Sequence, residues 1–178
     1  GGSGTPAFTS FNMTKLDGGS GSDTLSFTES TTGGTELNLT LGGAVNFENL
    51  NGTSAAETIR GDSGNNIITG HSGADTIYGG SGNDTLKADD LYSGPGGQNA
   101  AGYYTDNDNL YGEAGNDTLR ANAGDNILDG GTGADTITSG SGSDTIILRV
   151  GDGGSTLVAA DTITDFTDGS DKLGMDDN

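Results

Sequence analysis

The chain has 178 residues, 35 of them glycine and none cysteine or tryptophan, and carries a formal net charge of -20 from 26 acidic and 6 basic side chains. Phosphate-rich partners call for lysine and arginine, so this balance excludes nucleic acid and anionic membrane surfaces; without cysteine there is neither a disulfide framework nor a thiolate zinc site. Only 29% of residues are hydrophobic, too few for a thick core, and weak hydrophobicity with high charge predicts a fold conditional on a cation that neutralises the acids.

In chain order, Gly1-Gly2-Ser3-Gly4 reads as a linker, and the chain is expected to be a segment of a longer protein. It shows no signal peptide and no apolar run long enough to span a membrane. Residues 1–51 are expected to form irregular capping coils. They include one nine-residue unit, Gly18 to Ser26 with Asp23, and two alternating stretches, Leu37–Leu41 and Val45–Phe47, that read as strands with one buried face.

From Gly52 to Ile147 a nonamer repeats. Its clearest copies are Gly70-His71-Ser72-Gly73-Ala74-Asp75-Thr76-Ile77-Tyr78, the next nine residues to Lys87, Gly112 to Arg120 and Gly130 to Thr138. Each has glycine at positions 1 and 4, a carboxylate at 6 and an aliphatic residue at 8. A fixed short period predicts a stacked solenoid. Two blocks of four units flank residues 88–111, and Asp108-Asn109-Leu110-Tyr111 fits positions 6 to 9. The break is therefore one unit whose turn carries an inserted loop, 88–102, with Pro95 and Gln98-Asn99 as loop signals. After Ile147 the period ends, and 148–178 is expected to cap the open sheet edges.

The unit contains the parts of a calcium-binding turn. Glycines permit a sharp loop with convergent carbonyls. Calcium takes six to eight oxygens, which one short turn cannot supply but two turns stacked at about 4.8 Å can. The position-8 residues Ile59, Ile68, Ile77, Leu86, Leu110, Leu119, Leu128, Ile137 and Ile146 would form a thin core between two sheets. One such residue contributes about 1.5–3 kcal/mol when buried, whereas ordering nine residues costs about 1–2 kcal/mol for each. Packing loses that comparison, so ion binding and folding are expected to be linked.

These residues resemble the RTX, or hemolysin-type, calcium-binding repeats of secreted bacterial proteins, with the pattern GGxGxDxUx. The lead-in Phe47–Gly52 and the exit Asp161–Phe166 are also similar to segments that flank such arrays. The resemblance implies an all-β parallel roll with two nonamers per coil, several Ca2+ ions between turns on the same side, export as an unfolded chain, and folding outside the cell. It also implies a C-terminal secretion signal, which Asp176-Asp177-Asn178 does not supply.

Two units per coil sort the candidate ligands into rows. The first row holds Asn66, Asp84, Asp117 and Asp135, with the peptide carbonyls of positions 1 and 3: Gly61, Ser63, Gly79, Ser81, Gly112, Ala114, Gly130 and Thr132. The second holds Glu57, Asp75, Asp108, Asn126 and Asp144. The first row is expected to bind most tightly. The insertion lies between Asp75 and Asp108, which puts the second row's middle site in doubt. Asn66 and Asn126 keep an oxygen but lose charge, and Glu57 suits a capping coil better than a site.

Other chemistry is excluded or weak. His71 is the sole histidine and reads as a solvated turn residue. There is no HExxH helix, GxSxG elbow or GxxxxGK loop, so no enzyme is expected. Asp89-Asp90 and Asp176-Asp177 read as solvated surface or extra calcium ligands. Tyr92, Tyr103, Tyr104 and Tyr111 sit in or beside the insertion and could tuck the loop down, stack on a glycan or anchor another surface protein. The expected function is a calcium-binding structural module of an extracellular or cell-surface bacterial protein, of adhesin or surface-layer type. The alternative is an accessory module of a secreted protease, lipase or alginate epimerase, or a carbohydrate-binding module.

Overall fold

A strand of three residues with one inward side chain cannot bury that side chain alone. Stacking solves the problem. In the computed structural model, residues 16–18, 20–26, 35–38, 44–45, 47–89, 106–149, 160–167 and 169–176 are described. Sixteen strands are numbered in chain order. One parallel sheet contains β2 (Thr24–Ser26), β5 (Asn49–Asn51), β7 (Ile67–Thr69), β9 (Thr85–Lys87), β11 (Thr118–Arg120), β13 (Thr136–Thr138) and β15 (Thr162–Ile163), adjacent in that order. The facing sheet contains β3 (Thr35–Asn38), β6 (Glu57–Arg60), β8 (Thr76–Ser81), β10 (Asn109–Ala114), β12 (Ile127–Asp129), β14 (Thr145–Arg149) and β16 (Lys172–Asp176). A separate parallel pair joins β1 (Leu16–Asp17) to β4 (Ala44–Val45).

The chain alternates between the two sheets, so each coil uses two nonamers. Ile68 pairs with Leu86, and Leu110 with Leu128, at a spacing of 18 residues. All nine position-8 residues named above are fully buried, and Leu50 joins them at 1% exposure. Neighbouring positions 7 and 9 turn away from this core because side chains alternate along a strand, although Thr69 and Asp129 at position 9 are themselves buried. The fold is the all-β roll expected from the repeat.

The register passes through the break. Ile77 pairs with Leu110 and Leu86 with Leu119, both 33 residues apart, so the two repeat blocks form one solenoid. Ala88 and Asp89, read from sequence as the start of the insertion, stay in the turn. Ala88 is fully buried, and its N–H donates to the Arg120 carbonyl at 3.0 Å. Residues 90–105 lie outside the described residues, and with them Asp90, Tyr92, Tyr103 and Tyr104. Tyr111 belongs to β10 rather than to a loop. Its ring stacks on that of Tyr78 at 4.9 Å, and Arg60 lies 3.8 Å from the centre of the Tyr78 ring.

At the N-terminal end, the strand expected over Leu37–Leu41 runs from Thr35 to Asn38, and Leu39–Leu41 lie outside the described residues. At the other end, the segment expected as a cap supplies the last rung of both sheets. β15 pairs with β13 and β16 with β14. Phe166, Leu173 and Met175 are exposed there, and Phe166 and Leu173 do not join the core. Among the described residues, no helix is long and apolar enough to cross a membrane.

Candidate metal centre

The turns come first, because they place the carboxylates. At position 4 the backbone is left-handed well beyond the region that other residues tolerate: φ is 106° at Gly73, 110° at Gly82 and 148° at Gly115. A Cβ at Gly115 would also collide with the Gly82 carbonyl of the preceding coil. At these turns glycine is required both for conformation and for close stacking, whereas Ala55 and Asp106 hold position 4 without a positive φ. Position 2 is milder, with φ near 75° at His71, Glu113 and Asn122, so side chains are accepted.

Stacked in this way, the position-6 side chains form two ladders. In the first row, the N–H groups of Asn66, Asp84 and Asp117 donate to Oδ1 of Asp84, Asp117 and Asp135, at 2.8, 2.7 and 2.7 Å. The N–H of Asp135 then donates to Asp161 at 3.0 Å. In the second row, the N–H groups of Glu57, Asp75, Asp108 and Asn126 donate to Asp75, Asp108, Asn126 and Asp144, at 2.8, 2.7, 2.9 and 2.9 Å. The Asp144 N–H reaches Asp171 at 3.2 Å. The ladder runs unbroken from Asp75 to Asp108, so the middle of the second row survives the insertion.

Each aspartate therefore gives one oxygen to an amide. The other is left over. Oδ2 of Asp75, Asp84, Asp108, Asp117 and Asp144 is buried and has no hydrogen-bond partner, and the same holds for Oδ2 of Asp23 one coil out. Unpartnered buried carboxylate oxygens are costly. Burial, reinforced by nearby like charges, pushes the carboxyls up from 3.8: Asp75 to about 8, Asp108 and Asp117 to about 7, and Asp84 to about 6. Burial raises Asp144 as well.

The leftover oxygens point at a shared space. A Cβ on Gly79 would stand 2.5 Å from Asp84 Oδ2 and 2.8 Å from the Gly112 carbonyl of the next coil. The same pairing of a position-6 side-chain oxygen with a carbonyl of the next coil recurs at Gly61 (Asn66 and Gly79), Gly70 (Asp75 and Ala88) and Gly112 (Asp117 and Gly130). Position 1 is glycine in the first row because this cradle has no room for a side chain. Among the described residues, no group of three or more His, Asp or Glu side chains gathers into a metal cluster. A cation here is served by carboxylates from stacked turns together with carbonyls, an all-oxygen set that suits a hard ion. The residues fit calcium.

The sequence-predicted positions differ in what they offer. Asn126 accepts from Asp108 N–H through Oδ1, while its Nδ2 donates to the Gly124 carbonyl and to Asp144 Oδ1. Where the row aspartates leave Oδ2, Asn126 presents a donor. The Asn66 Oδ1 accepts the Asp62 N–H at 2.9 Å. Glu57 binds the Thr53 N–H and hydroxyl with its carboxylate, which accords with a capping role. Asp23 stands one coil out, its N–H held by Glu48 at 2.8 Å. The position-3 carbonyls of Ala114 and Thr132 accept from Gly82 and Gly115, at 2.8 and 2.9 Å, while at Ser81 it is the N–H that bonds, to the Asp62 carbonyl at 3.0 Å. Ser63 holds the matching place in the turn before.

Sequence reading missed several members. Asp161 and Asp171 extend the rows at spacings of 26 and 27 residues, off the 18-residue spacing of the coil. Asp165 binds the N–H groups of Ser139 and Gly140. A second, exposed ladder runs at position 5, where Asn83, Asn116 and Ala134 N–H groups donate back to Asn65, Asn83 and Asn116 side chains at 2.8–2.9 Å. The recurrence of Asn at position 5 was its visible signal.

The family model described as the RTX calcium-binding nonapeptide repeat matches this chain four times, over residues 51–86, 104–137, 111–146 and 120–154. The repeats are RTX calcium-binding repeats. Such repeats imply calcium binding, which the buried aspartate ladders fit, and the module is a calcium-binding RTX β-roll. A comparison with curated proteins gives no match. Both rows of the RTX roll cross the gap between the first family match and the other three, through Asp84–Asp117 and Asp75–Asp108.

Proposed function

We propose that this RTX roll is a non-catalytic structural module of a secreted or cell-surface bacterial protein, of adhesin or surface-layer type, folded by several calcium ions after export. The carrying observation is the double row of buried Oδ2 atoms without partners. In calcium-poor cytosol those charges oppose compaction. Outside the cell, bound calcium supplies the neutralising charge, and the ordered roll follows by linkage. The individual ligands in this reading are the carboxylates of Asp23, Asp75, Asp84, Asp108, Asp117, Asp135 and Asp144, with position-1 carbonyls. The resemblance of the repeats to those of secreted bacterial proteins supports the extracellular placement.

Circular dichroism and small-angle scattering during a calcium titration test the proposal. The metal-free chain at neutral pH is expected to be expanded and poor in β-structure, and to compact cooperatively as calcium is added. A spectrum and radius independent of calcium would sink it.

A further inference from the structure

One carboxylate outside the position-6 rows behaves unlike any other. Asp89 is 4% exposed, and neither of its carboxylate oxygens has a hydrogen-bond partner. Among the described residues it alone has both oxygens stranded; the ladder aspartates each lack a partner at only one. Sequence reading offered two choices for Asp89, solvated surface or calcium ligand, and its burial removes the first.

Its place in the turn is held from the backbone. The N–H of Ala88 donates to Arg120, and Asn122 Nδ2 donates to the Asp89 carbonyl at 3.1 Å. Asp89 occupies position 2 of a turn that resumes, after 90–105, at Asp106 in position 4 and Asp108 in position 6. Asp106 takes the place of the usual glycine and accepts the Gly73 N–H through Oδ2 at 3.0 Å. Asp108 accepts the Asp75 N–H and leaves its own Oδ2 stranded. The charges that bear on Asp89 are those of Asp108 and Asp106, and Asp89 in turn bears on Asp75. One turn thus offers three carboxylates where an ordinary repeat offers one, and among the described residues no cationic side chain pairs with Asp89.

We infer that Asp89 and neighbouring carbonyls, sharing the stranded oxygen of Asp108 with the second row, hold a calcium ion at the root of the insertion, additional to those of the nonamer rows. All the donors are oxygen, which suits calcium over a transition metal. The ion would join the residue that enters the 90–105 segment to the residues that leave it. This inference rests on the calcium reading of the roll.

Native mass spectrometry and isothermal titration of the whole chain, with calcium as the probe, test it on two variants. Asp89→Gly restores the residue found at position 2 in Gly80, Gly131 and Gly140, and Asp89→Asn keeps the shape without the charge. Each is expected to bind one calcium ion fewer than wild type while the calcium-loaded circular dichroism spectrum stays the same. An unchanged ion count in both overturns the inference. So does failure of both to gain β-structure at saturating calcium, because Asp89 would then serve the coil itself and not a separate ion. A wild-type chain that binds no calcium refutes the reading of the whole roll, a different result from either.

Discussion

The two edges of the roll are built from the same hydrogen-bond ladder and are not equivalent. Along the first, position 1 is Gly61, Gly79, Gly112 and Gly130, every cradle is open, and Asp84, Asp117 and Asp135 follow one another without interruption. Along the second, Ala88, Ala121 and Ser139 replace glycine at position 1, Asn126 replaces a carboxylate, and Asp89 and Asp106 add two. Both ladders still close, at 2.7–3.2 Å throughout. Backbone register is therefore set by the amide-to-Oδ1 bonds and the buried position-8 stack, while capacity for the ion is set separately, by Oδ2 and by the space at position 1.

The largest expected effect removes the contrast altogether. For the ladder carboxylates, the folded pKa values of about 6 to 8 stand above the unfolded value of 3.8. The folded metal-free state thus binds more protons. Their contribution is fully present below about pH 4 and is lost as pH rises through 6 to 8, at about 1.4 kcal/mol for each pKa unit. The metal-free chain should gain β-structure on acidification to pH 4–5 and lose it by pH 8, as followed by circular dichroism. Calcium midpoints should move the other way, rising as pH falls from 8 to 6 because protons compete for the same oxygens. A metal-free spectrum flat between pH 4 and 8 would contradict the buried-charge account.

Next comes a direct test of the edges. Asp117→Ala removes a carboxylate from the middle of the uniform row, where it serves Asp84 N–H and neighbours two further aspartates. Asp144→Ala acts where Asn126 already donates to the carboxylate. The calcium midpoint is expected to rise about tenfold for the first, equivalent to ~1.4 kcal/mol, and a few-fold for the second. Equal midpoints would mean that the rows bind alike.

A smaller difference follows from position 1. Gly112→Ala puts a methyl group against Asp117 Oδ2 and the Gly130 carbonyl, whereas Ala121→Gly opens a cradle whose side-chain partner is Asn126. Calorimetry should give a several-fold loss of calcium affinity for Gly112→Ala and almost none for Ala121→Gly. The smallest expected change is a gain: Asn126→Asp turns a donor into an oxygen and should add one weakly bound ion, counted by native mass spectrometry. If no ion is added, the methyl of Ala121 and not the amide of Asn126 keeps that rung free of metal.

Much of this was legible in advance. The period located every fully buried isoleucine and leucine from Ile59 to Ile146, and phasing it across the break put Asp84 against Asp117 and Asp75 against Asp108. The nonamer is legible because one coil repeats one chemical demand. What escaped had left the period. Asp161 and Asp171 reach their rungs through longer connections, and nothing in their spacing marks the hydrogen bonds they accept. The burial of Asp89 depends on where the turn departs, and a loop-rich composition gives no sign of that. The hydrogen bonds of Asn126 were not legible either: its oxygen accepts the ladder amide and its NH2 group faces the next rung.

Asp171 takes the Asp144 N–H with one oxygen and the Thr167 N–H with the other, and its own N–H turns back to the Thr167 carbonyl at 3.0 Å. Every earlier rung in that row hands its amide on to the next coil, as a growing polymer presents its reactive end. Asp171 instead folds that end back on itself. This edge of the roll thus carries a chain terminator, written in one turn, that leaves an arriving coil, its own or another molecule's, no ladder amide to continue from.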